Sequence, residues 1–161
     1  MGERDRMEKE WFCERIREQQ TSMYRYALGV LRNSADAEDA VGEAILRAYE
    51  KKEQLRDSLR FKSWVMSILA NVTKTMLTKR GKVEFLGDMS PYEGSTKGEK
   101  RELWEFVMGL PQEFRDVVIL YYYDGFLIKE IAQILKVSEG TVKSRLNRAK
   151  KKLRMVWEEF R

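Results

Sequence analysis

The chain has 161 residues, of which 43% are hydrophobic and 35% are charged, and its formal net charge at pH 7 is +5. It contains no histidine and a single cysteine, which excludes histidine catalysis, an internal disulfide and a zinc site built from several thiolates. Only two prolines interrupt the long helical patterns, so the composition favours an all-α fold of one domain or two small ones. The chain also lacks a glycine-rich phosphate loop, and we expect neither an enzyme nor a cofactor.

Charge divides the chain into three segments. Residues 1–81 hold 16 basic and 13 acidic side chains, residues 82–99 hold 2 and 4, and residues 100–161 hold 13 and 9. Two basic segments around an acidic one predict two nucleic-acid-facing domains joined by a linker. No apolar run approaches the ~20 residues of a membrane span, and the charged first residues lack the apolar core of a secretory signal. We therefore expect a cytoplasmic protein with no direct membrane insertion.

Two helices are predicted at the start of the chain. The first covers Glu8 to Leu31, and the second runs to about Tyr49, capped by Ser34 or Asp36. The second helix has an acidic face, formed by Asp36, Glu38, Asp39 and Glu43. These acids are explained either by the positive end of the helix dipole or by a basic partner helix. A metal site is less favoured, because no histidine or second group of ligands is nearby.

The middle of the chain combines a polar interruption, a strong helix and an aperiodic stretch. Glu53 to Lys62 interrupts the helical pattern, which resumes from Phe61 with apolar positions as far as Leu77. Trp64 in this helix is more typical of a core residue than of a stacking platform. From Gly81 to about Gly98, glycine, serine, threonine and proline follow one another without a period. We predict domains at residues 1–81 and 100–161, with a flexible linker at residues 82–99.

The C-terminal segment predicts a helix-turn-helix. One helix ends at Leu110, a second begins with Pro111 in its first turn, and the helix-turn-helix covers Phe126 to Leu153. Ser138 in the turn is a good N-cap for the last helix. The first of the two paired helices has an apolar face formed by Ile128, Ile131, Ala132 and Leu135, and the second has one formed by Val142, Leu146, Ala149 and Leu153.

The last helix carries a concentrated positive charge. At about 100° per residue from its apolar stripe, Ser144, Asn147, Arg148 and Lys151 point the opposite way. Between Lys136 and Arg154 the chain has eight lysines and arginines and one acid. Two amphipathic helices with a solvated basic face would explain the period alone, but the small Ala132 and this charge favour a recognition helix in the DNA major groove.

Two stretches resemble a known family. Asp36 to Leu77 is similar to region 2 of the bacterial sigma-70 family of RNA polymerase sigma factors, and Leu110 to Arg154 is similar to region 4. The match is closest to the small extracytoplasmic-function (ECF) group. The resemblance implies an alternative sigma factor that binds core RNA polymerase and directs promoter-specific transcription initiation. The partners that it implies are the beta-prime clamp helices and beta flap of bacterial core RNA polymerase, promoter DNA and an anti-sigma factor.

The resemblance also implies roles at matched positions. The residues implied in binding the −35 promoter element are Lys143, Ser144, Asn147, Arg148 and Lys151. Those implied in binding the −10 element are Arg56, Asp57, Ser58, Lys62, Asn71 and Lys74, with the loop at 56–62 holding a flipped base. Those implied in binding core polymerase are Glu38, Asp39, Glu43, Leu46 and Arg47.

The chain departs from the family pattern at two positions. Gly42 stands where the family commonly has glutamine, and Lys136 replaces a common glycine in the turn. Two other functions are left open by the residues themselves. A stand-alone helix-turn-helix transcriptional regulator would form homodimers on a palindrome, and an interaction protein would bind polymerase without recognising a promoter.

Overall fold

A computed structural model describes residues 2–80 and 98–159, and every regular element in these two ranges is helical. The helices are α1 (Glu3–Leu31), α2 (Ser34–Glu50), α3 (Phe61–Arg80), α4 (Gly98–Met108), α5 (Gln112–Val118), α6 (Ile128–Leu135) and α7 (Glu139–Glu159). Two 3-10 turns lie between α2 and α3, and a π-helical turn follows α5. The predicted all-α class is confirmed. Residues 82–97 of the predicted linker lie outside the described residues.

The first three helices pack against one another and form the N-terminal half. The side chains of Met23, Ala44 and Leu69, one from each helix, are fully buried between them. At the α1–α2 corner the predicted caps Ser34 and Asp36 are wrong, because the cap is Asn33. Its extended backbone precedes the helix, and its side-chain oxygen accepts a hydrogen bond from the Asp36 N–H at 3.0 Å.

Helices α4 to α7 form the C-terminal half. Helix α6 buries Ile131, Ala132 and Ile134 and packs on α7, whose buried stripe includes Val142 and Leu146. The prediction omitted Ile134, and it included two residues that are only half-buried, Ile128 and Leu135. The helix-turn-helix itself is confirmed.

The turn between α6 and α7 has two features of note. Ser138 caps α7 as predicted, since its Oγ accepts a hydrogen bond from the Thr141 N–H at 3.1 Å. Lys136 is left-handed, with φ 58° and ψ 46°. Glycine is the residue that adopts this conformation without strain, so the lysine at this position carries a backbone cost.

The two halves pack directly against each other, which the sequence did not predict. Helix α1 contacts α5 and the π-helical turn, and α3 contacts α6. Gly29 allows the close approach, because a Cβ added there would overlap the Cδ1 atom of Ile119. Beside it the buried guanidinium of Arg115 donates from Nε to the Gly29 carbonyl at 2.5 Å and from Nη1 to the Leu110 carbonyl at 2.8 Å. This packing decides which predicted surfaces face outward.

Candidate nucleic-acid interface

The outer face of α7 brings one predicted set of residues together. Val142 and Ala149 are fully buried, and they turn the opposite side of the helix to solvent. All five side chains predicted to bind the −35 element lie on that side and are exposed: Lys143, Ser144, Asn147, Arg148 and Lys151. Arginine and lysine can hold phosphate or read guanine edges, and asparagine suits adenine.

Not every positive charge of this segment is available on the outer face. Arg145 is half-buried and lines a groove on the inner side of α7, where its charge acts on the carboxylate of Asp116. Burial raises the pKa of Asp116 to about 7, against the lowering effects of the charges of Arg115 and Arg145. The sequence counted Arg145 with the other basic residues, and only the packing separates it from them.

A second candidate surface is the loop before α3. The Asp57 side chain accepts a hydrogen bond from the Leu59 N–H at 3.0 Å and caps the second 3-10 turn. The Ser63 Oγ donates to the Arg60 carbonyl at 3.3 Å. The side chains of Arg56, Asp57 and Ser58 are all exposed. Asp57 therefore has a structural role that the sequence did not indicate.

A cavity of about 640 Å³ lies beside this loop. Its apolar lining is Trp11, Phe12 and Leu55, and its polar lining is Arg4, Glu8, Lys52, Glu53, Arg56 and Ser58. An aromatic and aliphatic wall with a guanidinium and a hydroxyl nearby suits a flat, polar-edged ring such as an unstacked base. The sequence indicated Trp11 only as an apolar position of the first helix. No local signal could show that it would face a loop more than 40 residues away.

The other residues predicted for the −10 element lie along α3. Lys62, Asn71 and Lys74 are all exposed. Asn71 and Lys74 also line a groove of about 560 Å³ between the two halves, whose opposite wall includes Glu113 and Lys136. The predicted set is therefore divided between the loop and the groove.

The exposed side of α2 carries the residues predicted for polymerase binding. Glu38, Asp39 and Glu43 are exposed, and Leu46 keeps 63% of its surface accessible. Arg47 is half-buried, and its Nε lies 3.0 Å from the Glu43 carboxylate. The acids extend well past the first turn, so the helix dipole alone does not explain them. In the described ranges, no group of three or more potential ligand side chains is arranged to hold a metal ion.

Gly42 lies on the same side of α2. It is exposed, and a Cβ added to it would meet no atom within 4 Å. The glycine is therefore not required by packing. Across the residues that the structure describes, no helix is both long and apolar enough to cross a membrane.

Family models match both halves of the chain. The model for sigma-70 region 2 matches residues 16–83, and the model for sigma-70 region 4 matches residues 100–153. The chain belongs to the sigma-70 family. The residues predicted to bind the −10 element and polymerase lie within the region 2 match, whereas Trp11 and Phe12 of the cavity precede it. The outer face of α7 lies within the region 4 match.

Relatives place this sigma-70 family member in the ECF group. RNA polymerase sigma factor SigV of Bacillus subtilis is 31% identical over 145 residues, which cover 87% of each chain. ECF RNA polymerase sigma factor SigL of Mycobacterium tuberculosis is 29% identical over 151 residues, covering 86% of this chain and 84% of SigL.

Solved structures share the fold of this sigma-70 family member. The sigma factor RpoE of Bartonella quintana, in complex with the anti-sigma factor NepR, aligns with a TM-score of 0.79 over 93% of this chain and 98% of its own. CnrH, in complex with the cytosolic domain of CnrY, aligns with a TM-score of 0.69 over 94% and 90%. The identities are 22% and 19%.

Proposed function

We propose that this sigma-70 family member acts as an alternative sigma factor, which binds bacterial core RNA polymerase and directs it to particular promoters. One observation carries the proposal: a single chain matches both region 2 and region 4, and every side chain predicted to bind DNA or polymerase is exposed except Arg47, which is half-buried. It acts in the cytoplasm, without catalysing a reaction itself and without a cofactor. Its contribution is to position polymerase and to stabilise open DNA.

The outer face of α7 recognises the −35 element. Arg148 and Asn147 are the candidates for base edges, because their side chains can make paired hydrogen bonds to guanine and adenine. Lys143 and Lys151 bind phosphates. The hydroxyl of Ser144 donates a hydrogen bond to a phosphate or a base edge. This division predicts that base-reading and phosphate-binding variants differ in their dependence on promoter sequence.

The loop before α3 and its neighbouring cavity recognise the −10 element. A base must leave the stack before it can be read on its own, and a cavity lined by Trp11 and Arg56 offers it stacking and polar contacts. Ser58 supplies a hydroxyl beside the cavity, Asp57 holds the loop in shape, and Lys62 holds the adjoining phosphate backbone. Asn71 and Lys74 extend this surface along α3 toward duplex DNA.

The exposed side of α2 binds the beta-prime clamp helices of polymerase. Glu38, Asp39 and Glu43 offer charge to a basic partner, and Leu46 offers apolar contact that is otherwise unexplained at 63% exposure. Arg47, held by Glu43, orients the edge of this surface. The C-terminal half engages the beta flap, and an anti-sigma factor holds the chain inactive, as the complexes of the related folds suggest.

Transcription in vitro tests the proposal. Purified bacterial core polymerase is supplied with genomic DNA fragments, with and without the chain, and the new start sites are mapped. We expect start sites that depend on the chain and share two spaced elements. The absence of both new start sites and core binding would contradict the proposal. Tight binding of a homodimer to an isolated palindrome would instead support a stand-alone regulator.

A further inference from the structure

Gly42 stands in the middle of α2, where glycine is an unfavourable residue. Glycine destabilises a helix relative to alanine, because it loses more conformational freedom on folding. Among the glycines of the described ranges, only Gly125 has a positive φ, so the backbone at Gly42 does not require glycine. A Cβ added at Gly42 would meet no atom within 4 Å. Neither the backbone nor the packing of the free chain therefore explains this residue.

Gly42 forms one corner of a hole on the exposed side of α2. In a helix, the residues at positions i, i+3, i+4 and i+7 surround a hole that can receive one side chain of a facing helix. Here these four residues are Asp39, Gly42, Glu43 and Leu46, and all of them are exposed. The missing side chain at Gly42 deepens the hole, and it lets a facing helix approach more closely than the usual separation of about 8–10 Å between axes.

The two ends of this hole differ in chemistry. Leu46, at one end, keeps 63% of its surface accessible. Asp39 is at the other end, and within the described residues it forms no ion pair, whereas the carboxylate of Glu43 is paired with Arg47 at 3.0 Å. An apolar side chain in the hole would remove water from the Asp39 carboxylate without replacing its hydrogen bonds. A lysine or arginine satisfies both ends, because its methylene stem packs on apolar surface and its charge pairs with a carboxylate.

We propose that Gly42 is a specificity-determining residue of the polymerase surface, whose hole receives one lysine or arginine of the facing clamp helix. The stem of that side chain packs on Leu46 and over Gly42, and its charge pairs with Asp39. The inference rests on the proposed function, which supplies the partner. Glycine thus lowers the stability of α2 in the free chain and allows a closer contact in the complex.

Two substitutions at Gly42 fill the hole to different extents and test whether it is open in the free chain. Gly42→Ala should raise the melting temperature by about 2–4 °C, because it removes a glycine from the middle of a helix. Gly42→Leu should raise it as well, since the added side chain meets open space. A lower melting temperature for either variant would show that the position is not open, and it would overturn the proposal.

Binding to core polymerase then tests whether the hole is used. Fluorescence anisotropy of the labelled full chain measures the affinity for the core polymerase of the transcription assay. Gly42→Ala should bind several-fold more weakly than the wild type, and Gly42→Leu about tenfold or more, because an overfilled hole holds the partner helix away. Gly140→Leu, at an exposed glycine of α7 where Ser138 Oγ lies 3.9 Å from the added Cβ, is the control and should bind as the wild type does. Wild-type affinity of Gly42→Leu would overturn the proposal.

A double-mutant cycle tests whether the occupant carries a positive charge. Asp39→Asn alone should weaken core binding, because it removes the partner of that charge. If one side chain contacts both positions, Gly42→Leu and Asp39→Asn together should lose less affinity than the sum of the two separate losses. Glu50→Gln, which removes an exposed acid of α2 outside the hole, should combine additively with Gly42→Leu. Additive losses at Asp39 would overturn the shared basic occupant.

The wild type separates this inference from the proposed function. If the wild type binds core polymerase and directs new start sites, and Gly42→Leu does so equally well, only the role of Gly42 is overturned. If the wild type neither binds core polymerase nor yields new start sites, the proposed function is contradicted, and the role of Gly42 is contradicted with it.

Discussion

The two candidate DNA surfaces of this sigma-70 family member are built in different ways. The −35 surface lies on the outer face of one helix, α7, and all five of its residues are exposed together. The −10 surface combines a loop, a cavity lined by Trp11 of α1 and a side of α3 that faces the C-terminal half. A surface on one helix follows from the helical period, whereas a surface assembled from several elements depends on how they pack.

The −35 surface should show the largest effect. Replacing both Asn147 and Arg148 by alanine removes two base contacts, each worth about 1–3 kcal/mol, so promoter-specific transcription should fall by roughly 100-fold or more. Run-off transcription with core polymerase measures this loss of promoter-specific transcription. Arg17→Ala, on an exposed part of α1, is the charge-matched control. If the double variant retained the start sites and yields of the wild type, α7 would not be a reader of promoter sequence.

The −10 cavity should show the next largest effect. Trp11→Ala removes a stacking wall worth about 1–3 kcal/mol per base, so initiation should fall by about tenfold. Binding of single-stranded −10 oligonucleotide to the holoenzyme should fall in parallel, as measured by fluorescence anisotropy.

Trp11 also packs edge-to-face on Phe61, with ring centroids 5.5 Å apart. Trp11→Phe, which keeps an aromatic ring there, is therefore the control for folding and should retain most of the activity. If both variants initiated as well as the wild type, the base would be held elsewhere.

Asp116 on the wall of the groove should make stability depend on pH. Its carboxyl pKa is about 7 in the folded chain, against an ordinary 3.8, because it is buried. The folded state therefore binds a proton more readily than the unfolded state. The stability from this protonation is complete below about pH 4 and is lost as pH rises through 7. Between about pH 5.5 and 8.5 the free energy of unfolding should fall by about 2 kcal/mol.

Urea denaturation at both pH values measures this dependence. Asp116→Asn removes the titrating group with little change of shape, so it should flatten the pH dependence between them. If the pH dependence of stability were unchanged in Asp116→Asn, another group would be responsible for it. Asp124 is then the next to test, because burial also raises its pKa to about 7.

The turn of the helix-turn-helix should show the smallest effect. Lys136→Gly relieves a left-handed residue and should stabilise the chain by about 1 kcal/mol, which corresponds to about 2–4 °C in melting temperature. Lys136→Ala removes the same charge but keeps the strain, so it should not stabilise. If alanine stabilised as much as glycine, the charge rather than the backbone would be responsible.

The sequence predicted the helices well because each is an amphipathic segment with its own period. Ser138 was predicted as a cap from its local pattern, and its bond to Thr141 confirms it. The cap at Asn33 was missed, because several polar residues in succession compete for one position and only the backbone conformation decides between them. Arg145 was counted with the other basic residues of its segment for a similar reason, since helical spacing does not show which neighbour a helix will contact.

By itself, the sequence determined the helical class, the helix-turn-helix, the basic outer face of α7 and the resemblance that the family matches confirm. These features depend on residue type and on the spacing of residues along the chain, both of which can be read from the sequence. The tertiary structure alone decided the cavity at Trp11, the burial of the Arg115 and Asp124 side chains, and the contact between the halves at Gly29. Each of these features brings together residues that are far apart in the chain. Their stability comes from close packing and desolvation, which the spacing of residues within one helix does not predict.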